Sequence, residues 1–122
     1  MFDITPDEAR LLLNIAMMAT GSNRFASAAK ILAALGGFRP GNPSLAAANA
    51  MLLMSMGDFQ GAVDYIDREA LPQNPDAAML KAFKGMSLLR MGRVAEARVP
   101  LEEAAGQSAD PAAAKMAKDM LI

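Results

Sequence analysis

The chain contains no cysteine, no histidine and no tryptophan, and only one tyrosine among its 122 residues. Without cysteine there is no disulfide framework, no zinc–thiolate site and no thiol nucleophile. Without histidine the commonest general base and metal ligand is missing as well. Basic runs are absent: 12 Lys and Arg against 13 Asp and Glu leave a net charge of −1, without the electrostatic footprint of a nucleic-acid partner. Long apolar runs are absent too. The longest uncharged stretch, Pro40 to Gly57, is 18 residues but carries Asn42, Pro43, Ser44 and Asn49, a poor membrane span. Met1-Phe2-Asp3-Ile4 lacks the basic region and apolar core of a signal peptide, so a cytoplasmic location is expected.

What the chain has in quantity is alanine and methionine. Apolar residues make up 53% and aromatics only 5%, and 11 methionines contribute to the apolar share, a balance that favours packed helices over sheet. The length fits one domain or one short array of repeats.

An array is what the punctuation indicates. Met56-Gly57-Asp58-Phe59-Gln60-Gly61-Ala62 reads as a turn between two helices. It recurs as Met91-Gly92-Arg93-Val94-Ala95-Glu96-Ala97, with 35 residues from Gly57 to Gly92. A weaker copy, Gly21 to Ala28, lies upstream, and Phe25 to Phe59 is 34 residues. Glycine, any residue, an aromatic or apolar residue, two more residues and then alanine, at this period, is a helical-repeat signature. A second mark agrees. Thr5-Pro6, Asn42-Pro43, Asn74-Pro75 and Asp110-Pro111 each place a polar capping residue before a proline, at spacings of 37, 32 and 36 residues. The side chain accepts from a free N–H of the first turn, and proline there loses no hydrogen bond.

These marks predict helices over 6–20, 24–35, 43–56, 59–69, 75–91, 94–105 and 111–121. Thr5 and Glu8 form a capping box at the first. Gly36-Gly37 should stop the second, residues 38–42 form a linker, and Leu71-Pro72-Gln73 form the loop after the fourth. Pro100 should kink the sixth or delay its start. Asp64 with Asp67, or Glu102 with Glu103, are the only candidate paired carboxylates. They fall on solvated helix faces without a histidine, cysteine or phosphate-binding loop, so an enzyme is not expected. No cofactor or metal is expected either.

The period of about 34, with Gly57, Phe59 and Ala62 in that order, resembles the tetratricopeptide repeat. The resemblance implies an all-α fold in a single domain, 1–122. Three tetratricopeptide-like helix-turn-helix repeats, at about 6–37, 43–71 and 75–106, are followed by a capping helix at 110–121, in a short right-handed superhelix. Small residues recur where paired helices approach: Ala16, Ala50 and Gly85 on the first helix of each pair, and Ala28, Ala62 and Ala97 on the second. The chain departs from the pattern at Asn23, where glycine belongs, and at Lys81 and Lys84, where apolar residues are usual. These departures leave the register of helix 75–91 open by a residue.

In that fold the first helices line a concave groove. The groove positions fall on Arg10, Leu13, Met17 and Thr20, then Ser44, Ala47, Met51 and Met54, then Met79, Ala82, Met86 and Leu89. Leu13, Met17, Ala47, Met51, Met54, Met79, Ala82, Met86 and Leu89 are therefore the candidate partner-binding residues. Methionine is unbranched and polarisable and suits an adaptable apolar surface. The expected occupant is an amphipathic helix. The alternatives are helix packing or self-association closing the groove. Lysine, arginine and asparagine are too scarce in the lining for a scaffold that binds a carboxylate tail.

The whole chain further resembles the small cytoplasmic tetratricopeptide chaperones of bacterial type III secretion, most nearly those of the needle subunit. The likeness rests on the break after the first helix, the repeated turn motif, and Ser108-Ala109-Asp110-Pro111-Ala112 followed by Ala114, Ala117 and Met120. It implies that a needle-subunit helix is held in the groove, preventing premature polymerisation, and that a second small helical co-chaperone packs on the N-terminal repeat. The alternatives are a chaperone of the pore-forming translocators and a generic interaction scaffold.

Overall fold

A computed structural model describes residues 4–38 and 41–121. The N-terminal stretch Met1 to Asp3 and the linker residues Arg39 and Pro40 lie outside the described residues. The helices are α1 (Pro6–Gly21), α2 (Phe25–Phe38), α3 (Pro43–Ser55), α4 (Phe59–Tyr65), α5 (Leu71–Gln73), α6 (Ala78–Arg90), α7 (Val94–Ala105) and α8 (Pro111–Met120). A π-helical segment, Ile66–Ala70, joins α4 to α5. The first helices form one layer, in which α1 packs on α3, α3 on α6 and α6 on α8. The second helices pair with them: α2 against α1 and α3, α4 against α3 and α6, and α7 against α6 and α8.

The helix starts follow their capping chemistry. Thr5 accepts from the Glu8 N–H at 3.1 Å while Glu8 accepts from the Thr5 N–H at 3.2 Å, completing the capping box. Asn42 and Asp110 cap α3 and α8. Asn74 does not cap. Its carbonyl accepts from the Ala77 N–H at 3.0 Å across a Pro75-Asp76 turn, and its side chain donates back to the Ala70 carbonyl at 3.2 Å. Helix α6 therefore starts at Ala78, not at Pro75.

The inter-helix turns are built alike. Asn23, Gly57 and Gly92 all have left-handed backbones, at φ 62°, 81° and 78°. In the second turn the Gly57 N–H bonds the Met54 carbonyl and the Asp58 N–H bonds the Leu53 carbonyl, at 3.0 and 2.9 Å. The first and third turns repeat both bonds, with Asn23 and Arg24 and with Gly92 and Arg93. This is the Schellman arrangement, which satisfies carbonyls at the helix end. Asparagine tolerates the left-handed region better than other non-glycine residues, which explains its place at position 23.

Two predicted stops do not occur. Gly36 and Gly37 lie inside α2, because neither adopts the left-handed conformation a cap requires. Leu71-Pro72-Gln73 is helical rather than a loop. A regular α-helix would drive the Pro72 ring into the carbonyl four residues earlier, that of Arg68. The widened segment avoids this clash, with the Leu71 N–H reaching the Ile66 carbonyl. Pro100 does not delay α7 either: it lies buried inside the helix that starts at Val94.

The core is built on the small residues. Ala16, Ala28, Ala50, Ala62 and Ala97 are fully enclosed. A Cβ added to Gly85 would come within 2.4 Å of the Leu101 side chain, itself buried. Lys81 and Lys84 are the other departure from the repeat pattern. Their ammonium groups pair with Glu103 on α7 at 3.0 Å and with Asp67 of the π segment at 2.8 Å. The stems pack while the charged heads meet acids on the flanking helices. With α6 beginning at Ala78, both lysines sit between α4 and α7.

Replacing Ala62 or Ala97 by Glu is expected to abolish folding of the affected repeat. A buried uncompensated charge costs roughly 3–5 kcal/mol, a large share of a small domain's stability. Urea denaturation followed by circular dichroism checks this; a midpoint within error of the parent would contradict the close contact.

Candidate partner groove

Eight of the nine candidate groove residues, Leu13, Met17, Ala47, Met51, Met54, Met79, Met86 and Leu89, are half-buried. The ninth, Ala82, is fully enclosed among core residues and presents no surface. Arg10 and Ser44 are exposed, and Thr20 is buried with its hydroxyl donating to the Ala16 carbonyl at 2.9 Å. The intermediate burial has a direct cause. Ala47, Met51, Met54 and Met79 pack side-on against a core cluster that includes Ala46, Ala50, Ile66, Leu80 and Phe83. Leu13 and Met17 do the same on the cluster around Ala16, Leu32 and Leu45. The groove floor is thus the outer skin of the core.

Two cavities open along this layer of first helices. One of about 250 Å3 lies between α1 and α3 and is lined by Ala9, Arg10, Leu13, Leu35, Ser44 and Leu45 among others. The other, about 340 Å3, lies between α3 and α6, with Ser44, Ala47, Ala78, Met79 and Leu80 in its lining. Ser44 is common to both, so the cavities adjoin; of the nine candidates Leu13 lines the first, and Ala47 and Met79 line the second. The second is also lined by Gln107, Ala109 and Asp110, from the connection into α8. Sequence reasoning treated α8 only as an end cap. Yet Met116 is half-buried against the same cluster as Met51 and Met79. The available signal was the Met116/Met120 pair, four residues apart on the face that carries Ala113 and Ala117.

A third cavity, about 200 Å3 and more polar, lies on the other flank of α3, between Asn42, Asn49, Tyr65, Glu69, Gln73 and Asn74. Asn49 donates to the Tyr65 hydroxyl at 3.3 Å. Burial pushes the Tyr65 hydroxyl pKa up and Glu69 adds to the shift, while the Asn49 hydrogen bond opposes it.

The candidate carboxylate pairs separate. Asp64 accepts from Gln60, Asp67 pairs with Lys84, Glu102 with Arg98 and Glu103 with Lys81. Each carboxylate answers to a different neighbour, so none forms an acid–base couple. Among the described residues no cluster of three or more acidic side chains could hold a metal ion, and no helix is long and apolar enough to cross a membrane.

A second apolar surface lies outside the groove. Leu11, Ile15 and Met18, at helical spacing on α1, are 60%, 42% and 72% exposed. A stripe this open on one helix is not part of the core.

Comparison with known proteins now decides the family. The model of the bacterial type III secretion protein (HrpB1_HrpK) matches residues 1–120. The chain belongs to this family. Two solved structures share its fold. The Yersinia enterocolitica type III secretion translocator chaperone SycD superposes with a TM-score of 0.82 at 18% identity, over 97% of this chain and 90% of that one. PcrH, in complex with the chaperone binding region of PopB, gives 0.78 at 16% identity, over 98% and 99%. No curated protein matches the chain in sequence. The tetratricopeptide-like, all-helical fold expected from the repeat period is therefore the fold of this type III secretion protein. At 18% and 16% identity these likenesses show a shared fold, and neither comparison singles out the needle-subunit group.

Tyr65 is the only tyrosine, so its ionisation can be followed alone. Because its folded pKa is raised, the associated stability is present below the unfolded value of about 10 and is lost as pH rises through the folded value. Absorbance titration at 295 nm is expected to give a higher midpoint for the native protein than in denaturant. Equal midpoints would contradict burial of the hydroxyl.

Proposed function

We propose that this type III secretion protein is a non-enzymatic holding chaperone. Its groove, floored by Met51, Met54 and Met79, takes an apolar segment of a secreted translocator-type client and keeps it from associating prematurely. The observation that carries the reading is the pair of adjoining cavities along the first helices, bordered by Leu13, Ala47 and Met79, with Met51 and Met54 half-buried on the same core cluster as Met79. Burial of the client's anchors supplies about 25 cal/mol per Å2 of apolar area, offset by the cost of ordering the segment. The binding of a PopB segment by the structurally similar PcrH supports this choice of client. The needle-subunit helix remains the second reading, on the strength of the repeat and tail motifs. Either role is exercised in the bacterial cytoplasm, before the client is exported.

The α1 stripe supports a second contact. In the assembled chaperone a small helical co-chaperone covers Leu11, Ile15 and Met18; without it, a second copy of the chain does.

Two experiments test these roles. The chain is co-expressed separately with the translocators and with the needle subunit of its own secretion system, and each product is examined by native mass spectrometry. A stoichiometric complex with a translocator is expected, and it should be lost in Met51→Glu and Met86→Glu while helical content is retained. If both variants hold the client as the parent does, the groove is not the binding surface. For the α1 stripe, Met18→Glu is expected to reduce self-association in sedimentation velocity. A parent protein that is monomeric at high concentration and recruits no small partner would count against that contact.

A further inference from the structure

The larger groove cavity is completed by the connection from α7 into α8. Gln107, Ala109 and Asp110 line it opposite Ser44 and Ala47. Met116 carries the same apolar floor onward, packing against the cluster that also supports Met51 and Met79. Helix α8 thus covers the core, and the connection that leads into it walls the cavity.

The charge at this end is unbalanced. Asp76 and Asp110 both line the cavity, and neither makes an ion pair with a described residue. Asp110 accepts one hydrogen bond, from the Ala113 N–H at 3.1 Å. In the neighbouring cavity the one charged lining residue, Arg10, already pairs with Asp7 at 3.2 Å. An apolar cavity edged by two carboxylates without a counter-cation fits an apolar side chain flanked by a positive one.

We infer that the connection from α7 into α8 is part of the client-binding surface, and that the client places an apolar residue in the cavity between α3, α6 and this connection with a lysine or arginine beside it. This rests on the holding-chaperone reading. It adds a wall to the groove beyond the first helices and a charge requirement to the client.

The probe is the translocator of the same secretion system, titrated against the full-length chain. Ala109 is exposed, lies on the cavity wall and precedes the capping Asp110, so Ala109→Trp obstructs the cavity without entering the core. Ala112→Trp, exposed on α8 but away from the cavity, is the control. The expected result is a loss of affinity of about tenfold or more for Ala109→Trp, the size of a central contact. Ala112→Trp should bind as the parent does. Asp76→Asn is expected to weaken binding by about threefold at low salt, a partly exposed charge pair, and to flatten the salt dependence. Circular dichroism confirms that each variant is folded.

If Ala109→Trp binds normally while Met51→Glu does not, the connection into α8 is outside the site and the inference is overturned, with the chaperone reading intact. If neither changes binding, the groove reading falls and takes this inference with it. An equal loss in Ala112→Trp assigns the effect to general disturbance of α8, which also overturns it. An unchanged affinity and salt dependence in Asp76→Asn overturns the basic flank alone.

Discussion

The contact on which this molecule depends is the close approach of paired helices at residues with little or no side chain. Ala16 and Ala28 serve the first pair, Ala50 and Ala62 the second, Gly85 and Ala97 the third, and all are buried. Interiors are packed as densely as organic crystals, so helices that meet this closely have no room for a larger group. The third pair is the tightest case, since Leu101 occupies the space a side chain at Gly85 would need. Around these close contacts the larger residues Leu32, Ile66, Leu80 and Leu101 are fully buried.

The angle between paired helices is set by a turn used three times. Left-handed residues at Asn23, Gly57 and Gly92, each with the same two hydrogen bonds, reverse the chain the same way at each step. Between repeats the connections differ. The π segment and α5 prolong the second repeat's outer helix, and the Pro75-Asp76 turn shortens the start of α6. Charge then ties the third repeat in place. Lys84 reaches back to the π segment and Lys81 forward to α7, while Arg93 clasps Glu96 and reaches Gln60 on α4 at 3.1 Å. Such partly exposed pairs contribute modestly to stability, but they specify which acid each cation faces.

The groove follows from this architecture. First helices packed side by side leave one face of each without a partner, and the residues there are half-buried rather than open. Methionines dominate that face, so the floor can reshape around a guest without opening the core beneath it. Under the proposed holding role, such a surface suits a client that must be kept apart from its own kind until export. The α1 stripe lies apart from Leu13 and Met17, which on the same proposal leaves room for a second subunit.

The sequence by itself determined the repeat, because helix caps, glycine turns and small-residue contacts are local or strictly periodic. Thr5 with Glu8, Asn42-Pro43, Asp110-Pro111, Gly57, Gly92 and the alanines at fixed spacing were legible for that reason. The tertiary structure decided what depends on neighbours from other repeats. Asn74 caps nothing because the Pro75-Asp76 turn pulls it back toward Ala70. Gly36 and Gly37 remain helical, since glycine permits a left-handed cap without requiring one. Lys81 and Lys84 are accommodated only because Glu103 and Asp67 arrive from other helices. Ala82 presents no surface because the surrounding helices enclose it, and Met116 packs on the same cluster as Met51 and Met79 because α8 folds back onto α6. Periodicity assigns a residue to a face of its own helix; only packing determines whether that face is covered, and by what.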